Sequence, residues 1–225
     1  MSCLAWGLRA GSATEEATST GGVRGVGPAP VRRQEMQRLV ALLGKPVSRS
    51  LSPKMQNAAF LALGLDLHYM AFEVEEEWLA DAVRGLRALG FAGANVTIPH
   101  KTKIMDYLDE VKPGARAIGA VNTIAVVEGR HLVGYNTDAP GLLGALAEDA
   151  GFRPRGRKAL VLGAGGASRG AAYGLLEAGL EKLFICNRTA SRAEEIVDDL
   201  LYAFPGREIV AARFPAEKGE AIPAS

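Results

Sequence analysis

The run Lys158-Ala-Leu-Val-Leu-Gly163-Ala-Gly165-Gly166-Ala-Ser168 constrains this chain more than any other stretch, because an apolar strand enters a glycine turn that opens directly into a helix. Gly163 permits the tight turn, and Gly165 lets a backbone approach a ligand with no Cβ in the way. The helix starting near Ala167 offers unpaired N–H groups and the positive end of its dipole. Gly163, Ala164, Gly165, Gly166 and Ala167 together make a cradle for a dinucleotide pyrophosphate. A lone glycine triplet is weak evidence; strand, turn and helix in that order supply the context the motif requires. Ser168 stands where a third Gly or Ala is usual, so close helix-to-strand packing has to accommodate one hydroxyl.

The tip of the next strand decides which dinucleotide fits. An NAD site carries Asp or Glu there to accept hydrogen bonds from ribose hydroxyls, whereas this chain has Asn187, Arg188 and Thr189. A carboxylate would repel a 2′-phosphate; a guanidinium pairs with it in a planar fork, and Asn187 and Thr189 add neutral donors. NADP is therefore the expected cofactor. Arg192, one turn into the following helix, is a second candidate positive charge. An isolated arginine is most often a solvated surface residue, and the strand-tip position beside the glycine turn is what sets Arg188 apart.

From residue 38 onward short apolar strands alternate with amphipathic helices, which argues for an α/β architecture with mainly parallel sheets. A strand over 39–43 precedes a helix with Ser52 as N-cap and Pro53 in its first position, ending near Gly64. A strand at 67–74 leads to a helix at 77–89 that puts Leu79, Val83, Leu86 and Leu89 on one stripe. A strand at 92–98, a short helix at 101–108 and two strands within 121–135, joined at Glu128 and Gly129, complete this half. A helix at 139–150 and a polar linker at 151–158 then lead to strand 159–163, helix 167–178, strand 182–187, helix 191–203 and strand 208–214. That order is the opening half of a doubly wound nucleotide-binding fold. The expected division places one domain at 37–138 and the nucleotide-binding domain at 139–225.

Composition narrows the partners. With 26 basic against 25 acidic residues among 225, no net field draws the molecule to nucleic acid or an anionic membrane, and any anion site must be local. No apolar stretch approaches the roughly 18 to 20 residues of a membrane helix. Residues 1–36, dominated by Gly, Ser, Thr, Ala and Arg without apolar periodicity, read as a disordered leader ahead of Met36. Cys3 and Cys186 suggest neither a disulfide framework nor a metal site, which suits a reducing cytoplasm, and Cys186 reads as a small buried hydrophobe. His68, His100 and His131 lack metal-ligand spacing and read as structural or surface residues. Trp78 is expected to pack with Leu79 at a helix start.

Four polar clusters fall at strand ends or loop starts, where open α/β sheets gather ligand groups. They are Ser50-Leu-Ser52-Pro53, Asn95-Val-Thr97-Ile-Pro99-His-Lys101, Gly119-Ala-Val-Asn122-Thr123 and Asn136-Thr137-Asp138. Their hydroxyls, carboxamides, amine and carboxylate suit a small polyhydroxylated acid. With the glycine turn and its Asn-Arg-Thr strand tip, these clusters in this order and spacing resemble the shikimate dehydrogenase family, over about residues 39–214. The resemblance implies an N-terminal α/β substrate domain plus a partial Rossmann-type doubly wound NADP-binding domain. It also implies NADPH-dependent reversible reduction of 3-dehydroshikimate to shikimate, a step of chorismate and aromatic amino acid biosynthesis. By the same resemblance Ser50 and Ser52 hold the substrate carboxylate, Asn95, Thr97, Asn122 and Asp138 surround the ring hydroxyls, and Lys101 is the catalytic lysine, with Asp138 beside it. Gln56 stands where the family often has His, and Ala139-Pro140 replaces the commoner Gly after the aspartate. A homodimer is entertained as the assembly.

The chemistry of the residues agrees with that placement. Hydride transfer to a ketone builds negative charge on the carbonyl oxygen, and Lys101 can supply a proton or stabilise that charge while Asp138 holds the ammonium. The competing reading for Asp138, as for Ser52, is a helix cap. Against the family pattern the chain is expected to lack later strands, the nicotinamide-side residues and a final helix, which leaves two alternatives open: a non-catalytic fragment that only binds ligand, and a quinate/shikimate dehydrogenase using NAD.

Overall fold

The computed structural model describes residues 38–213; the leader expected over 1–36 lies outside them. Strand β1 (Arg38–Gly44) is apolar after its first residue and lies between two parallel neighbours, β2 (Leu67–Glu73) and β3 (Gly93–Val96). Its side chains alternate between two cores, as the two-residue period of a strand requires. Ala41 and Leu43 face a core built on helix α2 (Leu79–Ala88), whose Leu79, Val83 and Leu86 are buried, whereas Val40 and Leu42 face Phe60 of helix α1 (Ser52–Ala62) and Tyr69.

The sheet continues through β5 (Thr123–Val127) and β6 (His131–Tyr135), an antiparallel hairpin, to the short β4 (Glu110–Val111), giving the order β2-β1-β3-β5-β6-β4. The hairpin closes through a 3₁₀ turn at Glu128–Arg130 with Arg130 in the left-handed region, one residue longer than the tight turn expected.

Helix α4 (Asp138–Glu148) leads to a second, wholly parallel sheet of β7 (Lys158–Leu162), β8 (Lys182–Asn187) and β9 (Glu208–Arg213), in that order. Helices α5 (Gly166–Glu177) and α6 (Ala190–Ala203) connect these strands. In α6 the residues Ala193, Ile196, Val197 and Leu200 recur at helical spacing and bury together against β8 and β9. This is the Rossmann-type half of the fold.

Several local expectations change. Residues 76–78 tighten into a 3₁₀ turn ahead of α2, which leaves Trp78 59% exposed instead of packed beside the fully buried Leu79. Helix α2 ends at Ala88, so Leu89 leaves the stripe at the C-cap and is 75% exposed. The helix expected over 101–108 is a 3₁₀ turn at Lys103–Tyr107. The unexpected helix α3 (Pro113–Ile118) carries Pro at its start and Gly119 in the left-handed region at its end. Ser52 is the first residue of α1, not its cap; Leu51 holds the N-cap position without a side-chain bond.

Among the described residues no helix is long and apolar enough to cross a membrane. We predict that Leu79→Ala lowers unfolding free energy by about 3 kcal/mol, as a large-to-small change at a closed core position does. Leu89→Ala should change it by less than about 0.5 kcal/mol; urea denaturation of the two variants checks both.

Candidate active site

Helix α5 brings the two sheets' ligand groups together, and it does so on a glycine face. Gly166, Gly170 and Gly174 recur every fourth residue and so share one side of the helix. A Cβ at Gly166 would stand 2.8 Å from Lys101 Cβ, one at Gly170 3.3 Å from Asp138 Cβ, and one at Gly174 3.2 Å from Ala139 Cβ. The turn that follows β7 therefore lies directly on Lys101. The backbone amide of Gly163 donates to the Cys186 carbonyl (2.8 Å), which fixes the turn beside the tip of β8.

Lys101 is nearly buried, its side chain 12% exposed, and Nζ donates to Asp138 Oδ2 at 2.5 Å. The other carboxylate oxygen accepts from Asn122 Nδ2 at 2.7 Å. Asn122 Oδ1 accepts from Thr123 Oγ1 (3.0 Å), Thr123 Oγ1 accepts from Asn95 Nδ2 (3.2 Å), and Asn95 Oδ1 accepts from Tyr69 Oη (2.9 Å). Each amide thus has one orientation that satisfies its neighbours. The chain runs in one direction from the Tyr69 phenol to the Asp138 carboxylate, where it meets the ammonium. Burial pushes the Tyr69 phenol up to about 12.

Asp138 is the first residue of α4 and a natural cap, yet it does not cap. Asn136 takes that task, its Oδ1 accepting from the backbone N–H groups of Asp138 (3.0 Å) and Ala139 (3.3 Å). The carboxylate is left for Lys101 and Asn122.

The remaining candidates are placed as follows. Thr97 is half-buried, with its amide donating to the Leu43 carbonyl at 2.9 Å. Ser50, on the loop after β1, and Ser52, the first residue of α1, lie outside the Lys101 network, and Ser50 Oγ accepts from the Ser52 amide at 3.2 Å. Glu73 anchors that loop by accepting from the Val47 (3.1 Å) and Ser48 (3.2 Å) amides, first Val47 and then Ser48 holding its carboxyl below the usual range. The sequence had not marked Glu73 or Tyr69 for the site, and Thr123 entered only as the end of its polar cluster; a strand-end acid facing a loop is a signal too common to single out.

On the nucleotide side, Gly163 sits at φ +110 and Gly165, extended at the N-cap of α5, makes no side-chain cap bond. As a glycine, Gly165 offers the first amides of α5 no capping oxygen, and leaving those amides open is the condition an anion site needs. Asn187 Nδ2 donates to the Thr189 carbonyl at 2.9 Å and shapes the strand tip, with Arg188 and Thr189 exposed. A cleft of about 410 Å³ is lined by Lys101 and Thr102 on one side, Ala164, Gly165 and Gly166 on another, and Arg192. The donor set fits a phosphorylated dinucleotide: free helix amides, a glycine turn and no carboxylate at the β8 tip.

Residues 42–124 match the family description "Shikimate dehydrogenase substrate binding domain" and residues 145–210 match "Shikimate / quinate 5-dehydrogenase". The chain is 52% identical over 174 residues to the shikimate dehydrogenase (NADP(+)) of Geobacter metallireducens and 57% identical over 162 residues to that of Moorella thermoacetica. The chain belongs to the shikimate dehydrogenase family. These alignments cover 77% and 72% of the chain, and 60% and 54% of the two relatives. The chain thus spans a little over half the length of these family members. The shikimate dehydrogenase of Thermus thermophilus, solved in complex with NADP(H) and shikimate, superposes with a TM-score of 0.67 at 44% identity, over 77% of this chain and 62% of that one.

The glycine face generates one prediction. Gly166→Ala should destabilise by roughly 1 to 3 kcal/mol through crowding on Lys101, although Ala is the better helix former. Gly165→Ala, whose Cβ meets nothing within 4 Å, should keep stability but weaken nucleotide binding roughly tenfold by filling the cradle. Thermal unfolding and nucleotide titration of both variants separate the two effects.

Tyr69 generates another. Its phenol ionises only near pH 12 when folded, against 10.0 for an exposed tyrosine. The stability it contributes is therefore whole below pH 10 and lost as pH rises from 10 to about 12, where the unfolded chain alone releases the proton. Tyr69→Phe should flatten that part of an alkaline stability profile, measured by denaturant midpoint against pH.

Proposed function

We propose that this protein catalyses the NADPH-dependent, reversible reduction of 3-dehydroshikimate to shikimate. The observation that carries the reading is the cleft in which the Lys101 side chain, clamped by Asp138, faces the glycine turn of the nucleotide-binding half. A ketone and a dinucleotide held on the two sides of that cleft would meet at an amine.

In this reading residues 37–138 hold the substrate and residues 139–225 the cofactor. Gly163, Ala164, Gly165, Gly166 and Ala167 cradle the pyrophosphate with backbone amides. Asn187, Arg188, Thr189 and Arg192 take the 2′-phosphate, Arg188 and Arg192 as cations and the others as neutral donors. NADPH, when bound, supplies the hydride.

The rest of the chemistry falls to side chains. As the ketone carbon accepts the hydride, charge builds on its oxygen, and the Lys101 ammonium neutralises it and delivers the proton that completes the alcohol. Asp138 keeps the ammonium in one position, and Asn122 keeps Asp138 there, so little reorganisation is needed when the charge appears. Asn95, Thr97 and Asn122 bind ring hydroxyls, and Ser50 and Ser52 the ring carboxylate, where the loop that Glu73 anchors runs into α1. The unpaired, buried Cys186 is compatible with the cytoplasmic setting we propose.

The test is NADPH oxidation followed by absorbance with 3-dehydroshikimate, and NADP reduction with shikimate. We expect turnover in both directions and a loss of roughly a thousandfold in kcat for Lys101→Ala, the scale of a proton-delivering and charge-stabilising group. Absence of turnover together with absence of NADP binding would overturn the proposal. Equal rates for Lys101→Ala and the unmodified chain would overturn the role of the amine.

A further inference from the structure

Arg169 is a buried charged residue of α5, on the wall of the cleft, with no part in the chemistry above. It lies in the first turn of α5, three residues past Gly166, and its side chain is 9% exposed. Nη2 donates to Glu195 Oε1 at 2.5 Å and Nη1 to Asp199 Oδ2, so one guanidinium forks between two carboxylates a turn apart on α6. Its Nη1 also lies against Gly119, where an added Cβ would come within 3.2 Å.

The position of Glu195 gives this fork its meaning. Glu195 follows Arg192 by three residues, a spacing at which opposite charges on a helix ordinarily pair. Arg192, Glu195 and Arg169 all line the cleft that the glycine turn borders. Glu195 pairs instead with Arg169, and no ion pair to Arg188 or Arg192 forms among the described residues. A carboxylate that turned to Arg192 would neutralise a cation offered to a phosphate and would repel the phosphate itself.

Resting on the cofactor reading above, we propose that Arg169 is a positioning residue for phosphate selectivity. It holds Glu195 away from Arg192 and so keeps that side of the cleft receptive to a 2′-phosphate. The ligand class it acts on is the phosphomonoester of an adenosine ribose, and it acts through Glu195 without touching that group.

The experiment compares binding of 2′,5′-ADP and 5′-AMP to the 225-residue chain by calorimetric titration, with thermal unfolding as a folding control. Arg169→Gln should lower the ratio of the two affinities about fivefold, the size of one partly screened charge contact, with 5′-AMP little changed. Adding Glu195→Gln should restore the ratio, and raising salt should shrink the difference between the two variants. A second pair, Arg169→Met with Asp199→Asn, with and without Glu195→Gln, repeats the comparison with fewer uncompensated charges if the first pair folds poorly. A merely structural role for Arg169 would weaken both ligands alike. An unchanged ratio in Arg169→Gln, or no restoration by Glu195→Gln, overturns the proposal; the second result would mean that Arg169 meets the phosphate itself. If the unmodified chain shows no preference for 2′,5′-ADP, the NADP reading falls first and this inference with it.

Discussion

The close approach of helix α5 to Lys101 and the start of α4 is the constraint on which the site depends. Helices ordinarily pack at 8 to 10 Å because side chains stand between them; here Gly166, Gly170 and Gly174 remove those side chains along one face. The gain is proximity, since the N-terminal end of α5 comes to rest against Lys101 and, one turn on, against Asp138. The cost is backbone freedom, because each helical glycine is worth about 1 kcal/mol less than alanine. The cost is offset only if the contacts across that face form. Folding of α5 and alignment of the two ligand sites are thus one event, not two.

The polar chain behind Lys101 follows from the same closeness. α5 lies over Asp138 and leaves its side chain 31% exposed, so protein groups replace part of its water, while the Lys101 ammonium beside it is only 12% exposed and needs a counter-charge. Lys101 and Asn122 supply those partners, and Asn122, itself buried, needs Thr123 and Thr137 in turn. Each group fixes the next as far as Tyr69 on the far core. Such a chain leaves the ammonium little room to relax, and that rigidity is what a charge-stabilising group needs.

Much of the fold was legible because its signals are local. Strand β8 begins at Lys182 and ends at Asn187, as its apolar run between polar ends had indicated, and the strand, turn and helix around Gly163 follow from one motif. Lys101 and Asp138 were also legible as residue types at strand ends, and their contact was expected from the family resemblance and the chemistry of the pair, not from spacing, since 37 residues separate them. What stayed hidden depends on tertiary placement. Asp138 and Ser52 both read as caps, and only the structure shows Asn136 doing that work for one and Leu51 occupying the position for the other. The spacing of Gly166, Gly170 and Gly174 was visible, but small residues in a helix do not announce which surface they meet. Trp78 and Leu89 show the reverse error: apolarity and spacing implied burial, and a 3₁₀ turn at one end and an early stop at the other turned both outward.

A chain with 26 basic and 25 acidic residues carries a formal net charge of only +1, too little to attract an anionic cofactor, so selectivity has to come from where its charges are tied down. The ion pairs divide the two halves of α6 into different roles. Glu195 and Asp199, on its second and third turns, are committed to the buried Arg169, while Arg192 on its first turn keeps no acid partner among the described residues. The positive end of the α6 dipole lies at that same first turn, and α5 presents its own free amides across the cleft. Two helix ends and an uncommitted guanidinium thus converge where a doubly charged phosphate would sit. The near-neutrality of the sequence is kept by committing two exposed acids to one buried arginine one turn further along.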